Sequence, residues 1–273
     1  MDKAFLIDLN HCSGCHNCQI ACKDEHCDQD WLPYAAAQPT TGQFWCKVYE
    51  RERGQVPVVR VAYRPTMCAH CADAPCEAVC PAGAFKRRDD GLLLIDPQVC
   101  TGCGACAEAC PIGAIFMNGE THIAQKCTGC AHLLDDGWTV PRCVDACCTD
   151  ALLFGEEDEL DLEGAEPLEE IAGYGPKVYY KGLPKRFAAG CVYDPEVNDA
   201  VIGAEVTLAD STGSVLARQE SDFMGDWIFE QIEPGSYTVS IEADGYEPIE
   251  FDVDVTEKDM FTGNKPLAKK LNL

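Results

Sequence analysis

The 273-residue sequence has no apolar run near bilayer length, and a spanning helix needs roughly 20 apolar residues. That excludes a helical membrane insertion. Its opening, MDKAFLIDLNHC, lacks the basic start and long apolar stretch of a secretory leader. The reading is a protein that stays in a reducing cytoplasm, where structural disulfides are rare; export would need a partner that bears a signal. Basic residues are scarce, 21 Lys and Arg against 46 Asp and Glu, a formal net charge of −25. Such a surface repels phosphates and anionic headgroups, which excludes nucleic acid and an anionic membrane face as partners. The deficit is uneven: residues 155–273 hold 9 basic against 27 acidic side chains, and residues 1–154 hold 12 against 19. Cysteine is missing from the same part, where Cys191 is the one thiol after residue 150. A thiolate-built centre there is excluded.

What is present is a crowd of thiols before residue 151. In CTGCGACAEACP, Cys100, Cys103, Cys106 and Cys110 fall within eleven residues and are closed by proline. A CxxC loop is too short to be a useful disulfide staple. Structural zinc draws its ligands from two separated CxxC pairs, whereas C-x2-C-x2-C-x3-C-P is the ligand run of bacterial ferredoxins, which hold [4Fe-4S] clusters. The pattern recurs. HCSGCHNCQIACKDEH supplies Cys12, Cys15, Cys18 and Cys22; MCAHCADAPCEAVCP supplies Cys68, Cys71, Cys76 and Cys80; KCTGCAHLLDDGWTVPRCVDACC supplies Cys127, Cys130, Cys143 and Cys147. Four quartets are the ligand count for four [4Fe-4S] clusters.

Short apolar runs precede three of the quartets, AFLIDLN, GLLLIDP and THIAQK, and read as strands. Each ligand run can then turn into a short helix. The expected class is therefore α+β, with tandem bacterial-ferredoxin-like modules over residues 1–154 and an insertion at 23–67. Gly102, Gly104 and Ala105 either let backbone N–H groups approach the sulfurs or are ordinary turn residues. In two-cluster ferredoxins the fourth cysteine of one run ligates the other run's cluster. Applied here, Cys68, Cys71 and Cys76 take Cys110, while Cys100, Cys103 and Cys106 take Cys80. The first and fourth quartets then exchange too, giving Cys12, Cys15 and Cys18 with Cys147, and Cys127, Cys130 and Cys143 with Cys22. Cys27 and Cys46 are read as packed thiols. Cys148 abuts a ligand and leaves the choice between Cys147 and Cys148 open.

After Phe154, GEEDELDLEGAEPLEE opens an acidic linker over residues 155–187, solvated or a short frayed helix, with a docking site as the lesser alternative. From residue 188 to 273, GAEVTLAD, SVLARQES, GDWIFEQI, GSYTVSIEA and IEFDVDV alternate with period two between the breaks DSTG, EPG and ADGYE. That predicts an antiparallel β-sandwich or barrel. It resembles carboxypeptidase regulatory-like and transthyretin-like modules, which carry no catalytic residues.

CSGCHNCQIACKDEH, RPTMCAHCADAPCEAVCPAGAFKRRDDGLLLID, CTGCGACAEACPIGAIF and KCTGCAHLLDDG with PRCVDAC together resemble the iron–sulfur subunits of the dimethyl sulfoxide reductase family of molybdopterin enzymes. The β tail, RERG and KVYYK liken it most to the small subunits of pyrogallol–phloroglucinol transhydroxylase, resorcinol hydroxylase and catechol dehydroxylase-type enzymes. The resemblance implies a non-catalytic electron-transfer subunit with four [4Fe-4S] clusters. It also implies a large partner holding molybdenum or tungsten on a bis-pterin guanine dinucleotide cofactor, with a further donor or membrane anchor as an additional partner. The insertion resembles the family's cover over the first clusters, where Trp31, Trp45 and Tyr49 are interface anchors or, as favoured here, core aromatics. The transhydroxylase branch has lost ligands in its second and third quartets, whereas every quartet here is intact. A complete set suits net electron flow, as in a hydroxylase or dehydroxylase; the alternative is a non-redox transhydroxylase in which the clusters are structural.

Overall fold

The computed structural model describes residues 2–270. The chain divides into two units, one built from the chain up to Glu50 with Tyr63–Leu183, the other from Arg51–Ala62 with Pro184 onward. Among the described residues no helix is long and apolar enough to cross a membrane.

The first unit is organised around β1 (Lys3–Asp8), whose Ala4, Phe5, Leu6 and Ile7 are all buried. Burial on both faces suits the middle strand of a sheet. After it come α1 (Asn17–His26), a hairpin of β2 (Cys46–Gln55) and β3 (Val58–Met67), and α2 (Pro75–Ala78). Two short ribbons alternate with helices: β4 (Phe85–Arg87) with β5 (Leu93–Ile95), α3 (Ala105–Ala109), then β6 (Phe116–Met117) with β7 (Ala124–Gln125). α4 (Ala131–Asp135) and α5 (Arg142–Asp145) lead into β8 (Leu152–Glu156). The apolar runs before the first, third and fourth quartets thus contain β1, β5 and β7.

The structure differs from the sequence reading at the segment expected to be an acidic linker. Residues up to Leu183 belong to the first unit. They form a 3-10 turn at Glu169–Tyr174 and β9 (Val178–Lys181), which pairs in parallel with β1 while β8 pairs with it antiparallel. Glu157 takes hydrogen bonds from Lys177 Nζ at 2.6 Å and Tyr179 OH at 2.5 Å. Leu168, Ile171, Val178 and Tyr180 enter the same core as Phe5 and Ile7. The acidic side chains that made the segment look solvated lie largely on its outer side, and the few apolar ones between them anchor it.

In the second unit the five alternating runs all contain strands: β12 (Glu205–Ala209), β13 (Val215–Glu220), β14 (Asp226–Ile232), β15 (Ser236–Glu242) and β16 (Ile249–Asp254). They are joined by β10 (Arg186–Asp194), β11 (Asp199–Ala200) and β17 (Met260–Pro266). One sheet runs β13-β12-β15-β16; the other runs β11-β10-β14, with β17 on β10. Val206, Leu208, Trp227, Val239, Ile241 and Leu267 fill the space between them. The expected all-antiparallel pairing is corrected at one ladder, because β17 runs parallel to β10. Arg53 donates to the Lys185 carbonyl and lies 3.6 Å from Asp259, and Arg60 pairs with Glu230 at 2.7 Å, so the β2–β3 tip belongs to this unit.

Candidate metal centres

Each quartet is set up by one local device, a loop bearing its first thiols and a short helix bearing the rest. Cys18 and Cys22 lie on α1; α2, α3 and α5 carry Cys76, Cys106 and Cys143 and end just before Cys80, Cys110 and Cys147. Four helical residues advance about 6 Å, so the last thiol of a run is displaced from the first three. α1 packs on α5 and α2 on α3. Each displaced thiol is thereby carried toward the loop of the paired run.

The thiols gather accordingly. Cys12 is acted on by Cys18, Cys147 and Cys15, and Cys22 by Cys143, Cys130 and Cys127. Cys76 and Cys106 pack in one buried cluster with Cys71, Cys80, Cys100 and Cys110, where Cys68, Cys110 and Cys71 act electrostatically on Cys76 and Cys100, Cys103 and Cys80 on Cys106. The last group lines a small pocket together with Ala84, Phe85, Ile95 and Ala124. Burial, and after it the neighbouring thiols, push Cys76 and Cys127 up to about 12 and Cys71 and Cys106 up to about 11. Such thiols stay protonated until a cation replaces the proton, so metal loading releases protons. Among the described residues no three His, Cys, Asp or Glu side chains close on a point suited to a single metal ion. Four soft thiolates around a wider space suit a cubane, and the donor set fits [4Fe-4S].

Backbone N–H groups are aimed at these sulfurs. Ala84 and Ala114 donate to Cys80 Sγ at 3.4 Å and Cys110 Sγ at 3.3 Å, four residues on in each module. His70 and Gly129 donate to Cys68 Sγ at 3.5 Å and Cys127 Sγ at 3.3 Å. The turn needs a left-handed residue just before the second cysteine of every run, filled by Gly14, His70, Gly102 and Gly129. At Gly102 a Cβ would fall 1.9 Å from the His122 carbonyl oxygen. The glycine there admits the close approach of a neighbouring carbonyl.

Cys147 and Cys148 are placed differently. The α5 hydrogen bonds Val144 and Asp145 to Pro141, Ala146 to Arg142 and Cys147 to Val144 repeat those of α2, Glu77 and Ala78 to Ala74, Val79 to Pro75 and Cys80 to Glu77. Cys147 therefore stands where Cys80 stands, and Cys148 takes the place of Pro81. Cys148 is exposed, with its sulfur 3.8 Å from that of Cys15.

In the insertion, Trp45 is 2% exposed and tilts on His26 at 4.7 Å, a core role. Trp31 is half-buried and stacks on His132 at 4.3 Å, and Tyr49 is 46% exposed. Burial holds His26 down to about 4, so its neutral ring donates from Nδ1 to the Cys22 carbonyl at 2.9 Å. Cys46 is a packed thiol, 1% exposed in the same core as Cys18, Cys22 and Cys143. His70 and Lys126, both buried beside the ligands, were missed from sequence. A charge inside the apolar run THIAQK was the available signal for the second.

Thiols gathered in fours on a ferredoxin-like frame, followed by a β-sandwich, define an iron–sulfur electron carrier with an appended β domain. Residues 59–157 match the 4Fe-4S dicluster domain and residues 189–264 the carboxypeptidase regulatory-like domain. The chain is 38% identical to the pyrogallol hydroxytransferase small subunit of Pelobacter acidigallici, over 88% of this chain and 90% of that one. It is 36% identical to a subunit of the sulfite dehydrogenase of Allochromatium vinosum, over 67% of this chain and 83% of the relative. With a chain of the anaerobic dimethyl sulfoxide reductase of Escherichia coli strain K12 it shares 34% identity, over 65% of this sequence and 87% of the relative. This protein belongs to the family of iron–sulfur subunits of dimethyl sulfoxide reductase-type enzymes, and it is an electron-transfer subunit with [4Fe-4S] clusters.

Proposed function

We propose that the chain conducts electrons along four [4Fe-4S] clusters to or from a large molybdenum or tungsten bis-pterin subunit acting on hydroxylated aromatics. When bound, each cluster supplies a one-electron site. The ligand sets are Cys12, Cys15, Cys18 and Cys147; Cys22, Cys127, Cys130 and Cys143; Cys68, Cys71, Cys76 and Cys110; and Cys80, Cys100, Cys103 and Cys106. The observation that carries the reading is their order. Cys18 of the first set, Cys22, Cys127 and Cys143 of the second and Cys68 of the third share one buried core with Cys46, which supports the adjacency of these three sets. The packing of α2 on α3 links the third to the fourth. Exposed Cys15 and Cys103 mark the two ends, and every thiol of the second set is buried. A row with exposed ends and an insulated middle suits passage of electrons through the protein.

The alternative, a transhydroxylase subunit whose clusters are structural, is favoured by the likeness to the pyrogallol hydroxytransferase small subunit. One experiment separates the two. Purified anaerobically with its partner, the chain is expected to bring about sixteen iron atoms and as many sulfides, and its clusters are expected to be reduced and reoxidised during turnover. Iron near twelve would remove the four-cluster row. Full iron with clusters that keep one oxidation state through turnover would leave the structural reading.

A further inference from the structure

Lys126 is 2% exposed. Its Nζ donates to the carbonyl oxygens of Leu93 and, at 3.1 Å, of Cys127. Among the described residues no carboxylate pairs with it. A buried ammonium without an anion is unfavourable, so a compensating negative charge is required nearby. The groups at hand are thiols. Lys126 adjoins Cys127 of one inner set, and the Leu93 that holds its Nζ also holds His70, whose N–H donates to Cys68 Sγ of the other at 3.5 Å; its charge favours the thiolates of Cys71, Cys76 and Cys127. Leu93, whose carbonyl holds the Nζ, also donates its N–H to His70 Nδ1 at 3.0 Å. The lysine is thus fixed from strand β5 and from the ligand loop together.

We propose that Lys126 is a positioning cation seated between the two inner clusters, which raises the reduction potentials of both and eases the electron's crossing from one to the other. The inference rests on the four-cluster row of the proposed function. Four thiolates and an oxidised [4Fe-4S] core carry a net negative charge, and reduction adds one more. A fixed positive charge stabilises the reduced form more than the oxidised form, and in a site sealed from water the effect is weakly screened. It also offsets the repulsion that an electron on one inner cluster exerts on an electron arriving at its neighbour. The outer sets have thiols open to solvent at Cys15 and Cys103, where water screens a fixed charge more strongly.

The test is a redox titration followed by electron paramagnetic resonance on the anaerobically purified complex, with Lys126→Gln and Lys126→Arg alongside the unmodified protein. Glutamine keeps a donor for the carbonyls and removes the charge; arginine keeps the charge. Two of the four reduction steps are expected to move to lower potential in Lys126→Gln, and Lys126→Arg to stay close to the unmodified protein. If Lys126→Gln instead loses iron from two clusters while Lys126→Arg keeps it, the charge requirement stands. An iron-replete Lys126→Gln with all four steps unmoved, or with all four moved equally, overturns the inference, as does equal iron loss in both variants. Fewer than four steps in the unmodified protein would remove the four-cluster reading itself.

Discussion

At the scale of single residues, the site makes two different demands, one on ligand chemistry and one on backbone geometry. Thiolate is the usual ligand of such clusters, so four quartets of cysteine at fixed spacings stood out in the sequence before any fold was known. The backbone demand is a left-handed residue ahead of the second cysteine, which turns N–H groups toward sulfur. Gly102→Ala should break it, because φ there is +71° and the new methyl would strike a backbone oxygen that cannot swing aside. The expected result is loss of one cluster, about four iron atoms per chain, read by iron analysis. Gly113→Ala is the control, with φ +60° and open space around the added carbon, where a cost of about 1–2 kcal/mol without iron loss is expected. Full iron in Gly102→Ala would show that the turn does not shape the site. His70 fills the same left-handed place at φ 47°, and this was illegible because a histidine in sequence does not announce a positive φ. Lys126 was hidden for the opposite reason, since a lysine is ordinarily read as a surface charge.

At the scale of elements, the ferredoxin-like part was legible where a strand or helix is tied to a ligand run. It failed where an element is held only by distant partners. β9 has no neighbour in sequence that explains it; it becomes a strand by lying along β1, about 170 residues earlier, through Phe5–Val178 and Ile7–Tyr180. Its segment also bonds back to the second quartet's loop, with Ala72 N–H to the Gly175 carbonyl at 2.8 Å and Lys177 N–H to the Ala69 carbonyl at 2.7 Å. A chain ending at Glu157 would strip one edge of β1, uncover Phe5 and Ile7, and free the loop that carries Cys68 and Cys71. Losing the side chains of Ile171, Val178 and Tyr180 removes at least the roughly 2–5 kcal/mol typical of one large core truncation, against a total stability of about 5–15 kcal/mol. The expected outcome is a chain that is iron-poor or insoluble when purified anaerobically. Recovery of a complement of iron and an unaltered spectrum would mean that residues 158–183 are a linker after all.

At the scale of the whole molecule, chemistry and charge are divided between two units with separate cores. The second unit has its own sandwich interior, one cysteine, Cys191, and a net charge of −9 against −16 on the first. Cys191 hydrogen-bonds to the Met224 carbonyl at 3.5 Å, and burial first, then Asp226, pushes its thiol up to about 11. A protonated, isolated thiol is a poor start for a metal centre. The expectation is that the unit docks or shields and does not conduct. Its removal should be made at the boundary found in the structure, after Leu183, which keeps β9 on β1 and all four cysteine quartets. The expected result in the anaerobic complex is an unchanged iron content, unchanged cluster spectra and unchanged rates of cluster reduction by a small-molecule reductant. Assembly with the catalytic subunit, or its thermal stability, is expected to fall, because the Arg53 and Arg60 contacts at the β2–β3 tip are lost with the sandwich. A shortened chain that assembled normally but no longer passed electrons to the catalytic subunit would place the β unit in the conducting path.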